Sequence, residues 1–319
     1  MEKYMVCQLQ NGSEFTGFLM VRGAEKKADK NGREYVDMNL GDRSGEINAK
    51  IWNWDGLRPM PEAGNPIKVR GRVQEYNGRL QFRVEQWRET NPEDPVDLKE
   101  LVPSAPRDPK DMRREIEDTV ESFQSESLKK LTREMLNMAG DRLDYFPAAQ
   151  RMHHAEHAGL LHHTTDMLRL AKASMEIYPW LNRDLLLAGV ILHDLGKLEE
   201  MKSDRSGNVT DYTRDGLLVG HIVRGITLLH DAAEKTGVTG EPVLLLEHML
   251  LSHHGEAEYG SPRPPMFPEA EALHWIDMMD ARMNTFKSAW EKTPEGAFSE
   301  RIFALDRRVY HPRYTDDAE

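Results

Sequence analysis

The chain has 319 residues, of which 39% are hydrophobic, and this is enough to form ordinary cores in two domains. A single cysteine, Cys7, excludes a disulfide framework and a cysteine-rich zinc module, so any bound metal must be held by histidine and carboxylate. The longest apolar run is about half of the roughly 20 residues that a membrane span needs. Residues 1–15 contain no apolar signal region, so we expect a cytoplasmic protein.

The formal net charge is −12 at pH 7, and it is unevenly distributed. Residues 1–90 contain 15 basic and 13 acidic residues, whereas the remaining 229 residues contain 27 and 41. Phosphate binding normally requires a basic surface. The acidic excess lies outside the N-terminal segment, so the overall charge does not exclude a nucleic-acid partner for that segment.

Residues 13–90 show the pattern of short strands separated by turns. Apolar and polar residues alternate over 35–40 and 80–84, as in half-buried strands. Asn31-Gly32 and Asn77-Gly78 are strong signals for hairpin turns. The pattern of about five short strands predicts a small all-β barrel, which we place in a domain of residues 1–90.

Residues 91–110 contain five prolines and predict a linker. From residue 111 the hydrophobic period becomes helical, with predicted helices over 111–140, from about Pro147 to Glu176, and in the later apolar segments. The sequence therefore predicts a second, all-α domain over residues 111–319.

Eleven of the 13 histidines lie between residues 153 and 254, and they cluster at predicted helix ends. The apolar run of residues 185–192 ends directly at His193 and Asp194. Imidazole nitrogens and carboxylate oxygens together suit first-row divalent ions, and the adjacent pair lets one short segment contact two ions, with Asp194 between them. Two such ions can orient and hydrolyse a phosphodiester. The ordered set consists of His163, His193, Asp194, His221, His253, His254 and Asp277.

This order of histidines and aspartates resembles the HD phosphohydrolase superfamily in its longer form. With a barrel in front, the chain resembles the YhaM-type 3′-to-5′ exoribonucleases. The resemblance is carried by "DRSGEINAKIWN" in the barrel and by "IYPWLNRDLLLAGVILHDLGKLEE", "LLVGHI", "MLLSHHGEAEYGSP", "IDMMDARMN" and "FSERIFALDRRVYHP" beyond it. It implies an OB-fold barrel followed by an HD-domain helical bundle with a C-terminal extension.

The resemblance also implies two divalent ions, with Mn²⁺ preferred over Co²⁺, Fe²⁺ or Zn²⁺. His254 is the second choice to His253, because consecutive helical residues point about 100° apart. Asp194 and Lys197 are the predicted catalytic residues. Lys197 lies one helical turn after Asp194, where it either neutralises a phosphate or only pairs with a carboxylate, and both alternatives stay open. The implied metal ligands are His163, His193, Asp194, His221, His253 and Asp277.

Other polar residues near these ligands have less specific patterns. Glu156 lies seven residues before His163, where we favour a solvated helix face over a contact with a ligand. Asp280 is expected to orient Arg282 or to cap a neighbouring group. Glu156 and His157 stand where a tyrosine and a small or polar residue are usual in the family. The remaining histidines of this segment are assigned to substrate lining or surface, namely His153, His154, His157 and His162.

A protein that binds single strands needs basic side chains and aromatic faces for base stacking, and residues 68–88 interleave both. Trp52 and Trp54 are expected to face the same side of one strand. Some of these rings are expected to belong to the barrel core. Tyr259 and Arg263 are candidates for holding a terminal base and phosphate. The predicted nucleic-acid-binding residues are Trp52, Trp54, Arg70, Arg72, Tyr76, Phe82, Arg83, Tyr259 and Arg263.

The resemblance implies a metal-dependent exonuclease that releases nucleoside monophosphates from the 3′ end of single-stranded RNA, with single-stranded DNA as a further candidate. One alternative is an HD-type phosphohydrolase that acts on a small or cyclic nucleotide. A second is a non-catalytic single-strand-binding protein with a structural metal. No membrane partner is expected, and a homo-oligomer stays open.

Overall fold

The computed structural model describes residues 5–314 except 58, 77, 150–153, 155, 205, 206 and 208. The chain divides into two compact units. The first comprises residues 1–105 and 202–212, and the second comprises 106–201 and 213–319. Among the described residues, no helix combines the length and the apolar character that crossing a membrane requires.

The first unit is built around a closed five-stranded barrel, which confirms the predicted N-terminal all-β fold. The strands follow the order β1-β2-β3-β5-β4, and β3 and β5 are parallel whereas the other pairs are antiparallel. Their bounds are β1 Glu14–Ala28, β2 Glu34–Asp42, β3 Gly45–Ile51, β4 Pro66–Tyr76 and β5 Arg79–Glu89.

Strand β1 closes the barrel because it is long enough to pair with two neighbours. Its first half pairs with β4 and its second half with β2, the two ladders meet at Met20, and a bulge between Val21 and Gly23 lies in the ladder with β2. Bulges increase twist and bend a strand, which is what closure of a small barrel requires. The alternate inward residues, such as Leu19, Val36 and Phe82, are fully buried in one core.

The segment predicted as a linker is divided between the two units. Residues 91–105 belong to the barrel unit, where helix α1 (Leu98–Leu101) lies. Leu101 and Val102 are buried against Met20 on the outside of the barrel. Apolar residues among the prolines therefore fix most of this segment as a strap on the barrel.

The second unit contains most of the helices. Helices α2 (Pro109–Glu121) and α3 (Glu126–Ala139) replace the single helical segment expected over 111–140, because the side chain of Ser125 accepts the amide hydrogen of Leu128 and begins a new helix. The short strands β6 Met201–Ser203 and β7 Val209–Tyr212 form a two-stranded sheet, and residues 202–212 cluster with the barrel unit. The helices are α2 Pro109–Glu121, α3 Glu126–Ala139, α4 Gly159–Ile177, α5 Arg183–Leu192, α6 Lys197–Glu200, α7 Arg214–Thr236, α8 Glu241–Ser252 and α9 Pro268–Glu291.

The helix expected from about Pro147 begins only at Gly159. The preceding residue, Ala158, has a φ of 58°, which an α-helix does not allow. A Cβ at Gly159 would lie 2.0 Å from the carbonyl oxygen of His154, so this loop packs tightly against the start of α4. The packing of His154 against Gly159 and the backbone of Ala158 therefore override the helical period that the sequence shows before α4.

Gly71 allows strands β4 and β5 to approach each other at a bulge between Arg70 and Gly71. A Cβ at Gly71 would lie 2.1 Å from the backbone oxygen of Arg83, so Gly71→Ala forces the strands apart. We expect it to lower the free energy of unfolding by about 1 to 3 kcal/mol, measured by urea denaturation followed by circular dichroism. Gly23→Ala is the control, since its Cβ would meet nothing within 4 Å. Equal effects of the two substitutions would contradict this explanation.

Candidate metal centre and nucleic-acid interface

Helix α5 positions the central pair of the site. Its residues 184–192 are all buried, so packing on every side fixes the direction in which the helix ends. His193 follows as the C-cap with helical backbone angles, and its side chain and that of Asp194 are almost completely buried. The buried apolar run therefore holds the side chains of His193 and Asp194 in fixed positions.

A first group of ligand atoms lies on one side of Asp194. His163, on α4, has its Nε2 atom 3.3 Å from His193 Nε2 and 3.3 Å from Asp277 Oδ1. Asp194 Oδ2 lies 3.8 Å from His163 Nε2 and 3.4 Å from His193 Nε2. Four side chains from three segments thus bring nitrogen and oxygen atoms together in a space where one cation fits.

A second group lies on the other side of the same carboxylate. Asp194 Oδ1 is 3.6 Å from His221 Nε2 and 3.9 Å from His253 Nε2. His254 offers a further ligand nitrogen to the group of His221 and His253. Both residues of the consecutive pair therefore reach this side, although we expected His253 to be favoured over His254.

Three atoms of this second group are buried without a hydrogen-bond partner among the described residues: Asp194 Oδ1, His221 Nε2 and His253 Nε2. Leaving buried polar atoms unpaired costs about 1 to 3 kcal/mol each. Their convergence is explained if they bind a cation, because a divalent ion satisfies all three atoms at once. The residues present therefore fit divalent metal ions.

The opposite ring nitrogens of these histidines are held by fixed acceptors, and each Nδ1–H group points away from the site. Such contacts set the ring orientation and direct Nε2 toward a metal. The donations are His193 Nδ1 to Val190 O at 2.8 Å, His253 Nδ1 to Leu250 O at 2.7 Å, His163 Nδ1 to Asp280 Oδ2 at 2.7 Å, and His221 Nδ1 to Glu200 Oε1 at 3.2 Å.

The carboxylates control the charge of the site. Burial by itself disfavours the charged form of His163, but hydrogen bonds to Asp277 and Asp280 outweigh it and raise the pKa of His163 to about 10. Burial raises the pKa of Asp194, whereas Lys197 and His193 lower it, and the balance lies well below its ordinary value. The site therefore holds Asp194 ionised and able to bind cations.

Lys197 was predicted either to contact phosphate or to pair with a carboxylate. Its Nζ atom lies 2.7 Å from Asp194 Oδ2, and 13% of its side chain is exposed. Burial lowers the pKa of Lys197, but the charge of Asp194 raises it above its ordinary value overall. The observed contact is therefore the carboxylate pair, and a contact with phosphate stays a prediction.

A kink in helix α7 positions His221 beside Asp194. Gly220 has a φ of 78°, which breaks the helix and favours glycine, and the amide of His221 freed by the break donates to Glu200 Oε1 at 3.2 Å. A Cβ at Gly196 would lie 2.0 Å from the carbonyl oxygen of His221. Gly196, two residues after Asp194, therefore allows α7 to approach this closely.

Two carboxylates of the site were missed or misassigned from sequence. Glu200 holds His221, and the available signal was only its position one turn after Lys197. Asp280 was expected to orient Arg282 or cap a group, whereas its side chain accepts hydrogen bonds from His163 and His154. Its spacing of one turn after Asp277 placed it near the site but did not identify these partners.

The prediction that Glu156 lies on a solvated helix face is also corrected by the structure. Glu156 precedes α4 and is only half-buried, and its Oε1 atom lies 2.6 Å from His162 Nδ1, so it does not lie on a solvated helix face. His154 and His162 are buried beside the site. His153 lies outside the described residues, so its assignment stays a prediction.

Trp52 and Trp54 do not face the same side of one strand, although the sequence predicts that they do. Strand β3 ends at Ile51, and Asn53 has a φ of 57°, so period-two alternation does not extend through Trp52 and Trp54. Trp52 packs on Tyr35 with ring centroids 4.7 Å apart. Trp54 instead stacks with Trp87, with centroids 6.1 Å apart and an interplanar angle of 27°.

The Trp54 and Trp87 pair lines a groove of about 740 Å³ on the barrel unit. Lys68, Arg70 and Arg88 line the same groove and give it three basic side chains. Arg88 is held in a two-point ion pair with Asp94. Aromatic faces beside basic groups are the features that single-stranded nucleic acids require.

The other predicted contact residues of the barrel have different surroundings. Phe82 is fully buried and packs edge-on against Phe15, so it is a core residue and its prediction as a nucleic-acid contact is wrong. Arg72 is exposed and forms an ion pair with Glu14. Tyr76 and Arg83 are exposed, and neither lines the groove.

The two candidates in the loop after α8 gain no support from contacts. Arg263 is exposed, and the side chain of Tyr259 lies outside the described part of the structure. Ser261, between them in the chain, is buried, and its hydroxyl oxygen accepts the amide hydrogen of His254 at 3.0 Å. The loop therefore helps to fix His254, whereas contacts of Tyr259 and Arg263 with substrate stay predictions.

Known proteins match both units. A family model described as an OB-fold nucleic acid binding domain matches residues 19–90, and a model described as an HD domain matches residues 160–282. The 3′-5′ exoribonuclease YhaM of Geobacillus sp. (strain WCH70) is 39% identical over 303 residues, which cover 94% of this chain and 92% of that protein.

Two solved structures also match part of the chain. The second OB-fold domain of replication protein A from Methanococcus maripaludis is 20% identical, and the match covers 30% of this chain and 98% of that one with a TM-score of 0.23. A replication protein A heterotrimer bound to single-stranded DNA is 17% identical, with coverage of 28% and 61% and a TM-score of 0.21. At these TM-scores neither structure bears on the fold or the function of this chain.

Replacement of Glu200 tests whether the carboxylate positions His221. We expect Glu200→Ala to weaken divalent metal binding by about 10- to 100-fold, because His221 loses the acceptor that fixes its ring. Isothermal titration with Mn²⁺ measures the change. Glu199→Ala is the matched control, since Glu199 also lies on α6 but pairs with Arg142. An unchanged affinity in Glu200→Ala would show that the kink alone orients His221.

Proposed function

The chain belongs to the YhaM family, and on this basis we propose that it is a metal-dependent 3′-to-5′ exoribonuclease. Its substrate is single-stranded RNA, which it hydrolyses to nucleoside monophosphates, and single-stranded DNA is a further candidate. The proposal is supported above all by the position of Asp194, because its two carboxylate oxygens face two separate groups of histidines.

We assign two divalent ions to these two groups, with Mn²⁺ preferred. When bound, such ions supply Lewis acidity toward the phosphodiester and its leaving oxygen. Asp194 contributes to both sites. The other assigned ligands are His163, His193 and Asp277 on one side and His221, His253 and His254 on the other.

Lys197 contributes its charge without acting as a metal ligand. Its ammonium group holds Asp194 Oδ2, so the carboxylate keeps its orientation while the ions and the substrate exchange. With 13% of its side chain exposed, Lys197 also places a positive charge at the edge of the site, where it favours a phosphate.

The barrel unit binds the single strand. The Trp54 and Trp87 rings offer π-faces for bases, and Lys68 and Arg70 offer charge for the backbone phosphates. Each stacked base contributes about 1 to 3 kcal/mol whatever its identity, which suits an enzyme that processes varied sequences. The cytoplasmic location and the oligomeric state stay predictions from sequence.

The first experiment tests direction and metal dependence. We expect the purified protein with Mn²⁺ to shorten 5′-labelled single-stranded RNA from a free 3′ end and to leave RNA with a blocked 3′ end intact. Asp194→Asn is expected to lower the rate by more than about 100-fold, because it affects both ion sites at once. Asp231→Asn, an exposed aspartate on α7, is the control.

Two results would contradict the proposal. Cleavage of neither RNA by the wild-type protein, with hydrolysis of a cyclic or free nucleotide instead, would favour a phosphohydrolase of small nucleotides. RNA binding without hydrolysis of any phosphoester would favour the non-catalytic binding protein.

A second experiment tests the groove. We expect Trp54→Ala to weaken binding of single-stranded RNA by about 1 to 3 kcal/mol in fluorescence anisotropy, because one stacking face is lost. The measurement uses the full chain with Ca²⁺ in place of Mn²⁺ to limit hydrolysis. Trp180→Ala removes an exposed tryptophan of the helical unit and should leave affinity unchanged. Equal losses in both variants would remove the groove from the binding site.

A further inference from the structure

Three side chains beside the metal centre converge in a way that the two assigned ions do not use. His154 Nδ1 lies 3.0 Å from His162 Nδ1, and His162 Nδ1 lies 2.6 Å from Glu156 Oε1. The third distance, from His154 Nδ1 to Glu156 Oε1, is 3.5 Å. None of these residues is a ligand of the two groups around Asp194.

We propose that His154, Glu156 and His162 bind an additional divalent transition-metal ion, separate from the two ions of the centre. Two imidazole nitrogens and one carboxylate oxygen form a donor set that suits Zn²⁺ and other first-row divalent ions. This site stands whether or not the chain degrades RNA.

The spacing of the three atoms fits a coordination shell. Zinc bonds to histidine nitrogen and carboxylate oxygen are about 2.0 to 2.2 Å long, so neighbouring ligands of a tetrahedral ion lie about 3.3 to 3.6 Å apart. The observed separation of 3.5 Å lies within this range, and those of 2.6 and 3.0 Å are shorter, so the atoms must move apart by less than about 1 Å. Small shifts of the side chains are therefore enough to place one ion against all three atoms.

The opposite nitrogens of both histidines face carboxylates. His154 Nε2 lies 2.8 Å from Asp280 Oδ2, and His162 Nε2 lies 3.2 Å from Asp166 Oδ2. A metal-binding histidine usually donates its other N–H group to a carboxylate or carbonyl, which fixes the ring and increases its basicity. Here both rings meet this condition, and in both the Nδ1 atom is the one that lies beside Glu156 Oε1.

Charge and access also suit a cation. Three carboxylates, those of Glu156, Asp166 and Asp280, surround two imidazoles, so the group carries excess negative charge when both rings are neutral. His154 is almost completely buried, whereas Glu156 retains 19% exposure of its side chain. An ion therefore has a route from solvent on the Glu156 side and a partly dehydrated site beyond it.

The proposed site is coupled to the metal centre through one atom. Asp280 Oδ2 accepts hydrogen bonds from both His154 Nε2 and His163 Nδ1. An ion on His154 fixes that ring and, through the shared oxygen, fixes His163, which is a ligand assigned to the centre. Occupancy of the additional site thus has a direct route to the geometry of the first ion group.

The direct test is a crystal of the wild-type protein soaked in Zn²⁺, with anomalous diffraction measured on both sides of the zinc edge. We expect an anomalous peak within about 2.3 Å of His154 Nδ1, His162 Nδ1 and Glu156 Oε1. A proton shared by the same three atoms is the competing explanation. Absence of a peak at this position overturns the proposal, whatever is found around Asp194.

Metal counting in solution gives an independent test. After dialysis against Zn²⁺ and gel filtration, we expect Glu156→Gln to hold one ion per chain fewer than the wild type by mass spectrometry. Glu176→Gln, an exposed glutamate at the end of α4, is the matched control and should not change the count. His162→Gln should repeat the loss, and circular dichroism checks that each variant is folded.

A count that is equal in the wild type and both site variants overturns the proposal. The Asp194→Asn variant tests the additional ion site independently of the proposed activity, because this variant should lose RNA hydrolysis while it keeps the ion on His154. Conversely, a wild-type protein that holds the additional ion but does not degrade RNA would contradict only the proposed function.

Discussion

Asp194 is the residue on which the rest of the centre depends. Its side chain is almost completely buried, yet each carboxylate oxygen faces a different set of histidines. Lys197 forms an ion pair with one of these two oxygens, Oδ2. A buried carboxylate is costly unless it is paired with cations and hydrogen-bond donors. The requirement to surround this one group explains why several helices end or bend beside it: α5 ends just before His193, α8 ends just before His253, and α7 breaks at Gly220.

The histidines around Asp194 are held by two kinds of acceptor. His193 and His253 lie at helix ends, so backbone carbonyls one turn back accept their Nδ1–H groups. His163 and His221 lie within or at the start of helical segments, where the nearby carbonyls are used by the helix, and Asp280 and Glu200 take this role. Carboxylates in these positions also bring negative charge near the ions, which increases the affinity of the imidazoles for them.

Much of this arrangement was predictable, for identifiable reasons. The eight-residue apolar run before His193 and the ordered histidines and aspartates are local patterns, and they predicted the ligands that the structure brings together. The five-stranded barrel was predictable from alternation and turn residues. The start of α4 at Gly159, rather than near Pro147, was not predictable, because a left-handed Ala158 and close packing against Gly159 override the local helical period. The separation of Trp52 from Trp54 likewise depends on the backbone of Asn53.

The sequence by itself determined the fold class, the ligand types and their order along the chain, since periodicity and residue chemistry are properties of short segments. Only the tertiary structure decided which carboxylate contacts which ring. Asp280 and His163 are far apart in sequence, and no local pattern encodes their contact. The same holds for Phe82, whose inward face makes it core, and for Glu156, which meets His154 and His162 only because the loop folds back before α4. Contacts of this kind depend on how whole elements pack, and packing is a property of the complete chain.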